Sequence, residues 1–423
     1  MSTRTCLASM LLLCCSSLGA AEHHAGADAA LRFLSQKEVP AVISTLDDLV
    51  NIESGSNDSP GLKRMSAYLE SRLKRLGATV DNPPAAGDGL PMVRGALKGT
   101  GVLRVMLIAH MDTVYDQGIL RTEPYRREGN LIYGPGIADD KGGIAVILHS
   151  LDLLKARGWK DYAQVTVLFN TDEEIGSPGS GETIANLGAE HDVVLSFEPS
   201  PAKAVIKSEG VLLSAAGTSR VQMTVNGRAS HAGAAPEQGR NALLELSNRL
   251  LQTRTVAEGV HGAHLNWTMA SAGTARNQIP GEASATGDVR VTEADANQRL
   301  LAALKEKTAM PGLIPDTTTS VSLDPLRPMY VAGERGSALA ERARKIYAEL
   351  DGRELLFHPT TNGGTDAGFA GRSGKAAVLE GLGLAGWGYH ARNEFIEVDS
   401  IEPRVYLAAR LMMELGADAS ANR

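Results

Sequence analysis

Three adjacent acidic residues, Asp172, Glu173 and Glu174, follow almost directly on the apolar run QVTVLF at 164–169. An isolated acidic triplet is usually a solvated turn, so this feature alone indicates no function. Neighbouring side chains at a strand end point in different directions, which lets one carboxylate bind a metal ion while the next one moves protons. The triplet therefore indicates metal-assisted hydrolysis only if other ligands reach the same place.

Further imidazole and carboxylate groups occupy the same kind of position, just after an apolar strand or just before a helix. They are His110, Asp112, Asp139, Glu198 and His390. Ligands of open α/β sheets bind at the carboxyl ends of the strands, so we expect these groups to converge. Any one of them alone could be structural, but their common placement favours a shared site.

Imidazole and carboxylate ligands without thiolate suit zinc, and also manganese or cobalt. Two histidines with three acids exceed what one tetrahedral ion needs and fit two ions that share a bridging carboxylate. Asp112, two residues beyond His110 on an extended chain, points to the same side and can accept the other imidazole N–H. We expect Glu174 to be a ligand and Glu173 to be the base that takes a proton from the attacking water and passes it to the leaving amine.

Alternating strands and helices must position these groups. The strands are predicted at 104–109, 164–169 and 193–197, and the helices at 62–76, 142–154 and 183–187. Short apolar strands that alternate with helices indicate a parallel sheet covered on both faces, as in doubly wound α/β proteins. The same texture resumes at about 335 and ends in a helix at 404–415.

The middle of the chain follows a different order, which reads β-α-β-β-α-β from about residue 219. This order predicts a small ferredoxin-like α+β domain inserted into the larger one. The expected organisation is a signal peptide at 1–21, a catalytic domain at 22–218 and 328–423, and an inserted dimerisation domain at 219–327.

The bulk composition excludes several classes of partner. The 423 residues are 43% hydrophobic and 22% charged with a net charge of −7, which is ordinary for a soluble globular protein. No basic surface indicates a nucleic acid or an anionic membrane, and an aromatic content of 4% argues against a base-stacking platform. We therefore expect a small-molecule substrate and no nucleic-acid or membrane partner.

The first 21 residues are typical of a secretory signal peptide. Arg4 precedes the uncharged stretch LASMLLLCCSSLGAA, which ends in small residues. This leader predicts a secreted or periplasmic protein. It also contains Cys6, Cys14 and Cys15, so the mature protein would have no disulfide and no thiolate ligand. Lipidation at Cys14 or Cys15 is a further alternative.

Seven motifs together resemble the di-zinc aminoacylase and carboxypeptidase family. In chain order they are HMDTVY, GPGIADDKGG, NTDEEIGS, LSFEPS, GRASHAGAAPE, GGTD and GYH. Within that family the chain is similar to the secreted glutamate carboxypeptidases that cleave folates, from about Val39 to Gly416. The resemblance implies a metal-dependent exopeptidase that releases a C-terminal amino acid, in particular glutamate, from acyl, peptidyl or folate-like substrates.

Two alternatives use the same fold. The first is a general dipeptidase or N-acyl-amino-acid deacylase with the same two zinc ions. The second is a non-catalytic metal or peptide binder, for which loss of the base or of a ligand would be the sign. All of those residues are present in the sequence.

The resemblance also implies a role for each site residue. Asp139 would bridge two zinc ions, of which His110 and Glu198 complete one site and Glu174 and His390 the other. Glu173 would be the general base, and Asp112 would orient His110. His231, in ASHAG, would be the transition-state histidine, which in a homodimer reaches the active site of the partner subunit.

Substrate contacts are implied in the same way. Arg327 and Asn277 match positions that hold the carboxylate and backbone of the substrate, and Arg290 and Thr361 match further pocket positions. The family's lysine for a substrate side-chain carboxylate has no clear match, because the stretch between Glu198 and His231 is longer than expected. Lys203 and Lys207 are the candidates.

Overall fold

The computed structural model describes residues 27–85 and 90–421. The predicted signal peptide at 1–21, with its three cysteines, lies outside the described residues. Among the helices of the described part, none is long and apolar enough to cross a membrane.

Helices occur throughout the described part of the chain. The α-helices are α1 (Ala29–Val50), α2 (Ser59–Leu76), α3 (Lys141–Ala156), α4 (Gly181–Glu190), α5 (Lys203–Ile206), α6 (Ala242–Thr253), α7 (Ala296–Ala309), α8 (Gly333–Ala348), α9 (Ala367–Gly371) and α10 (Ile401–Ala421). Short 3₁₀ helices lie at Ile119–Arg121, Glu173–Ile175, Pro236–Gln238, Val256–Gly259 and Val398–Ser400.

The strands range from two to ten residues. They are β1 (Thr79–Asp81), β2 (Val93–Lys98), β3 (Arg104–His110), β4 (Arg126–Glu128), β5 (Leu131–Tyr133), β6 (Gln164–Asn170), β7 (Val193–Ser196), β8 (Ser200–Pro201), β9 (Glu209–Leu212), β10 (Ser214–Ala215), β11 (Gly217–Asn226), β12 (Ser230–His231), β13 (Ala263–Ala272), β14 (Gln278–Ile279), β15 (Glu282–Val291), β16 (Thr318–Arg327), β17 (Tyr330–Val331), β18 (Leu355–His358), β19 (Ala377–Leu379), β20 (Ala385–Trp387) and β21 (Phe395–Glu397).

A six-stranded sheet in the order β1-β2-β6-β3-β7-β19 forms the centre of the molecule. Strands β6, β3, β7 and β19 run parallel, while β1 and β2 add an antiparallel edge. The predicted doubly wound α/β fold is confirmed. The sequence did not predict the antiparallel edge, because β1 has only three residues and β2, VRGALK, has no continuous apolar run.

Strand β3 shows why this sheet is buried on both faces. Val105 and Leu107 point into a core shared with α1, α2, α3 and α10, whereas Met106 and Ile108 point into a core shared with α4 and α9. Successive side chains of a strand lie on opposite faces, so an unbroken apolar run needs a helix layer on each side.

A second sheet has the order β4-β5-β21-β20-β8. Its strands contain only two or three residues each, too few for a sequence pattern to reveal. This sheet holds the loops that carry two of the predicted ligands. Asp139 follows β5, and His390 lies between β20 and β21.

Residues 217–327 form what we call the lid region. Its four-stranded antiparallel sheet has the order β13-β15-β11-β16, with α6 and α7 packed on it. The order β11-α6-β13-β15-α7-β16 is the predicted β-α-β-β-α-β succession. Burial alternates along β11, because only one face of the sheet meets the helices. The domain boundaries given above stay a prediction.

Candidate functional site

A cavity of about 640 Å³ lies between the carboxyl ends of the central strands and the lid region. The central part lines it with Asp139, Glu173, Glu174, Glu198 and His390, and the lid region lines it with Thr218, Asp288, Arg290, Leu326 and Arg327. Most of the predicted acids and histidines therefore line one cavity, and His110 lies against it through its contact with Asp139.

Asp139 lies between two histidines. Its Oδ1 is 2.9 Å from His110 Nε2, and its Oδ2 is 3.3 Å from His390 Nε2. The two oxygens of one carboxylate thus face two different imidazoles, which is the arrangement that a bridging ligand requires.

Each histidine also has a carboxylate of its own. His390 Nε2 is 3.0 Å from Glu174 Oε2, and His110 Nε2 is 3.8 Å from Glu198 Oε1. Two groups of ligand atoms therefore share Asp139. They differ in burial, because the His110 side chain is only 2% exposed whereas that of His390 is 55% exposed.

The carboxylates of this cluster are crowded and buried, so a bound cation would stabilise their charged forms. Burial, together with the nearby Asp139 carboxylate, raises the pKa of Glu198 well above its usual range, and burial also raises that of Glu174. Hydrogen bonds to Asp139 and Glu174 raise the pKa of His390 to about 10. Carboxylates crowded in a buried place are stabilised by a metal ion, and nitrogen and oxygen donors without sulfur suit a divalent ion such as zinc. The residues present fit a metal centre.

The acidic triplet divides into three different environments. Asp172 accepts the backbone N–H groups of Gly179 (2.6 Å) and Ser180 (3.1 Å), so it stabilises the turn before α4. Glu174 faces His390, as described above. Glu173 is buried, and its Oε1 lies 2.6 Å from Arg327 Nη1. Three adjacent carboxylates thus have three different partners.

Asp112 connects His110 to this triplet. His110 Nδ1 is 3.1 Å from the backbone carbonyl oxygen of Asp112 and 3.3 Å from its Oδ1. The same carboxylate accepts the backbone N–H groups of Glu173 and Glu174, each at 3.2 Å, and the hydroxyl of Ser56 at 2.8 Å. Asp112 therefore contacts the imidazole and also fixes the turn on which the two glutamates stand.

Three of the residues predicted to bind substrate line the cavity: Arg290, Arg327 and Thr361. Arg290 on β15 and Arg327 on β16 are both paired with Thr218 on β11, so the two arginines lie on either side of this strand at the same level of the sheet. Arg290 Nε is 2.8 Å from Asp288 Oδ2. Each guanidinium therefore has a carboxylate partner already.

His231 and Asn277 do not line this cavity. Both are exposed. His231 ends β12, and Asn277 directly precedes the neighbouring strand β14. The backbone N–H of Ala232 donates to the Asn277 carbonyl oxygen at 2.9 Å. His231 Nδ1 accepts the backbone N–H groups of Gly233 and Ala234. In a single chain, His231 and Asn277 therefore do not lie at the cavity where their predicted roles in catalysis and substrate binding would be needed.

Neither candidate lysine lines the cavity. Lys203 Nζ is 2.6 Å from Asp399 Oδ2 and 3.5 Å from Glu209 Oε1, so its charge is already paired. Lys207 is exposed and follows α5. Neither position fits a contact with the side chain of a substrate.

Sequence reasoning missed two buried acids. Asp366 accepts the Asn170 amide at 2.7 Å and the Ser177 hydroxyl, beneath Arg327. Glu394 accepts backbone N–H groups of the loop that carries Asp139. Asp366 lies in the GGTD motif, which could have drawn attention to it. Glu394 has no such signal, because an acid four residues after His390 looks like any surface acid.

Comparison with known proteins gives consistent results. Residues 106–414 match the model of the family described as Peptidase family M20/M25/M40. Over 384 residues, 90% of each chain, the sequence is 46% identical to Carboxypeptidase G2 of Pseudomonas sp. (strain RS-16).

Solved structures resemble this fold over most of the chain. An aminopeptidase PepT from Bacillus cereus has a TM-score of 0.70 at 19% identity and covers 89% of this chain and 98% of its own. An M20 family metallo-carboxypeptidase from Sulfolobus solfataricus has a TM-score of 0.68 at 15% identity and covers 89% of this chain and 99% of its own. At these identities the likeness concerns the fold alone.

Proposed function

The chain belongs to peptidase family M20/M25/M40, and from this premise we propose that it is a metal-dependent carboxypeptidase. It hydrolyses the amide bond that joins a C-terminal amino acid to an acyl or peptidyl group. The observation that carries this proposal is the Asp139 carboxylate, whose two oxygens face His110 and His390 at the edge of the central sheet.

Two divalent ions, zinc or in its place manganese or cobalt, would be held by nitrogen and oxygen ligands. His110, Asp139 and Glu198 would hold one ion, and Asp139, Glu174 and His390 the other. When bound, such ions polarise a carbonyl and make a water molecule more acidic.

Glu173 supplies the proton transfer. Burial raises the pKa of Glu173 to about 8, although Arg327 acts in the opposite direction. Burial makes a carboxylate a stronger base, which can take a proton from water and return it to the leaving amine. Asp112 holds the backbone of Glu173 beside His110, which keeps the base at the reacting centre.

Arg327 binds the α-carboxylate that every C-terminal amino acid carries. A planar guanidinium can clamp a carboxylate with two hydrogen bonds. Arg327 is paired with Glu173 in this structure, so a substrate carboxylate would take over part of the role that Glu173 now fills. Exchange of one carboxylate partner for another releases the base at the moment when substrate is present.

Glutamate is the leaving residue that the cavity favours. A glutamyl group brings a second carboxylate, and Arg290 is the other arginine of the cavity wall, separated from Arg327 by β11. The two arginines can therefore serve two carboxylates, with Thr361 beside them in the wall. This assignment replaces the lysine that the sequence suggested.

A homodimer would complete the site with His231 and Asn277 from the partner. The lid region carries exposed apolar side chains on α6, among them Leu244 at 49% and Leu251 at 64% exposure. Strand β13 is an edge of the lid sheet, with its neighbour β15 on one side only. Exposed apolar residues and an open strand edge are features of a surface that another chain covers. The leader at 1–21 supports export of this dimer to the periplasm or the medium.

The direction of cleavage can be tested with matched substrates. One N-acyl dipeptide should carry a free C-terminal carboxylate, a second the C-terminal amide, and a third a free N-terminus with that amide. We expect the zinc-loaded protein to cleave only the first. Cleavage of the third in preference to the first would contradict the proposal and indicate an aminopeptidase.

The leaving residue needs a second series. N-acyl-glutamate, including 4-aminobenzoyl-glutamate, should be cleaved faster than the alanyl and leucyl counterparts. A tenfold preference corresponds to about 1.4 kcal/mol in transition-state binding. A tenfold preference for alanyl or leucyl compounds would favour a general dipeptidase or N-acyl-amino-acid deacylase instead.

A further inference from the structure

Glu394 is a buried acid that the reaction described above does not use. It lies four residues after His390 and directly before β21, and only 2% of its surface is exposed. Buried carboxylates are costly unless several donors surround them, so a glutamate in this place needs an explanation.

The donors come from the loop that carries Asp139. Glu394 Oε1 accepts the backbone N–H groups of Ala138 at 2.8 Å and of Asp139 itself at 3.0 Å. Oε2 accepts the backbone N–H of Gly136 at 2.8 Å. One carboxylate thus satisfies three backbone donors within four consecutive residues.

A fourth contact reaches the segment that carries His110 and Asp112. The Tyr115 hydroxyl lies 2.8 Å from Glu394 Oε2 and 2.8 Å from the Ala391 carbonyl oxygen. Glu394 therefore joins three stretches of chain: the one after β3, the one before α3, and its own, in which His390 lies.

These stretches have no regular structure of their own at the ligands. The residues between β5 and α3 form no helix or strand, and His390 stands in a loop with φ of +60°. Without a shared anchor, the relative position of Asp139 and His390 would depend on two separate loops. A carboxylate suits this place because it only accepts hydrogen bonds, whereas a glutamine would turn an N–H donor towards other donors.

We propose that Glu394 is a positioning residue of the metal centre. Through the backbone donors at 136–139, it holds the Asp139 loop and the His390 loop in a fixed relative position. This inference rests on the proposed function, since it takes Asp139 and His390 as ligands. Glu394 is not among the residues that line the cavity, and it accepts backbone N–H groups of the Asp139 loop, so it acts through that loop.

The test is retention of metal by Glu394→Gln and Glu394→Ala. Zinc content is measured by elemental analysis after dialysis against graded chelator, together with kcat/KM and Tm. Loss of a partner that orients a ligand usually costs about 10- to 100-fold in metal affinity or activity. We expect metal to leave at a chelator concentration lower by that factor, and excess zinc to restore activity, because all ligands are still present.

Glu209→Gln is the matched control. Glu209 is also buried, accepts Arg404 Nε at 3.0 Å, and does not line the cavity. It should lower Tm and leave metal retention unchanged. Equal metal loss in Glu209→Gln, or metal retention and kcat/KM of Glu394→Gln within threefold of the unchanged protein, would overturn the inference.

Tyr115→Phe decides the matter if neither Glu394 variant folds. It removes one hydroxyl contact and should weaken metal retention about two- to tenfold, the range for one hydrogen bond. Unchanged metal retention in Tyr115→Phe would count against the positioning role of Glu394. If the unchanged protein retains no metal at all, the proposed function fails, which is a different outcome from equal retention in the variants.

Discussion

The central sheet and the lid region contribute to the same cavity in different ways. His110, Glu174 and Glu198 of the central part lie at or just after the ends of strands that are buried on both faces, so the packing of two helix layers fixes where those strands end. The lid region buries only one face of its sheet, and its cavity residues stand on the other. We therefore expect substitutions in the central part to damage the chemical step and those in the lid region to damage recognition or assembly.

The largest effect is expected from Asp139→Ala in the central part. Loss of the carboxylate shared by both groups of ligands should remove bound metal and reduce kcat below that of any single variant described next. Elemental analysis and turnover of the purified protein measure both. Asp324→Ala, an exposed lid aspartate paired with Arg220, is the control and should keep metal and activity. Metal-replete Asp139→Ala would remove the basis for a bridging ligand.

Glu173→Gln tests whether Glu173 acts as the general base and not as a metal ligand. It should keep its metal and lose on the order of 10²–10⁴ in kcat, the usual scale of general acid–base catalysis. Metal content distinguishes the two variants, because Asp139→Ala should lack bound metal and Glu173→Gln should retain it. Near-normal turnover would show that another group moves the proton.

His231→Ala tests whether the lid region of one subunit serves the site of another. A lost transition-state donor costs on the order of 10²–10³ in kcat. Inactive His231→Ala subunits mixed equally with inactive Glu173→Gln subunits should recover up to about a quarter of the activity. About half of the dimers are then mixed, and one of the two sites in each mixed symmetric dimer is intact. No recovery after verified subunit exchange would argue against a shared site.

The arginines of the lid region should change recognition. Arg327→Ala should lower kcat/KM about 10- to 100-fold on every substrate with a free carboxylate, as expected for loss of charge-assisted hydrogen bonds. Arg290→Ala should lower it on glutamyl substrates and spare alanyl ones. Arg220→Ala, an exposed lid arginine, is the control. Equal losses on glutamyl and alanyl substrates for Arg290→Ala would contradict its assignment to the side chain.

The smallest effect on chemistry is expected at the surface of α6. Leu251→Asp should shift the protein towards monomer in sedimentation experiments, because a charge would replace apolar surface at the proposed contact. Val331→Asp, at a position of similar exposure outside α6, should leave the assembly unchanged. A Leu251→Asp protein of unchanged mass would place the dimer contact elsewhere.

Local sequence revealed much of the fold and most of the cavity. Continuous apolar runs predict β3, β6 and β7, since a strand buried on both faces has no alternation. Strands of two or three residues carry no such pattern, so the second sheet could not be foreseen. Strand β1 is equally short, and β2, with the sequence VRGALK, has no continuous apolar run.

The sequence by itself determined which groups could do chemistry: acids and histidines at strand ends, whose direction follows from the local backbone. Only the tertiary structure decided which of them meet. It gave the three carboxylates of 172–174 three different partners, paired Lys203 away from the cavity, and placed Arg290 and Arg327 on either side of β11. It also turned Glu394 inward onto the Asp139 loop. These contacts join residues far apart in the chain, and hydrogen bonding across such distances depends on packing that no local pattern encodes.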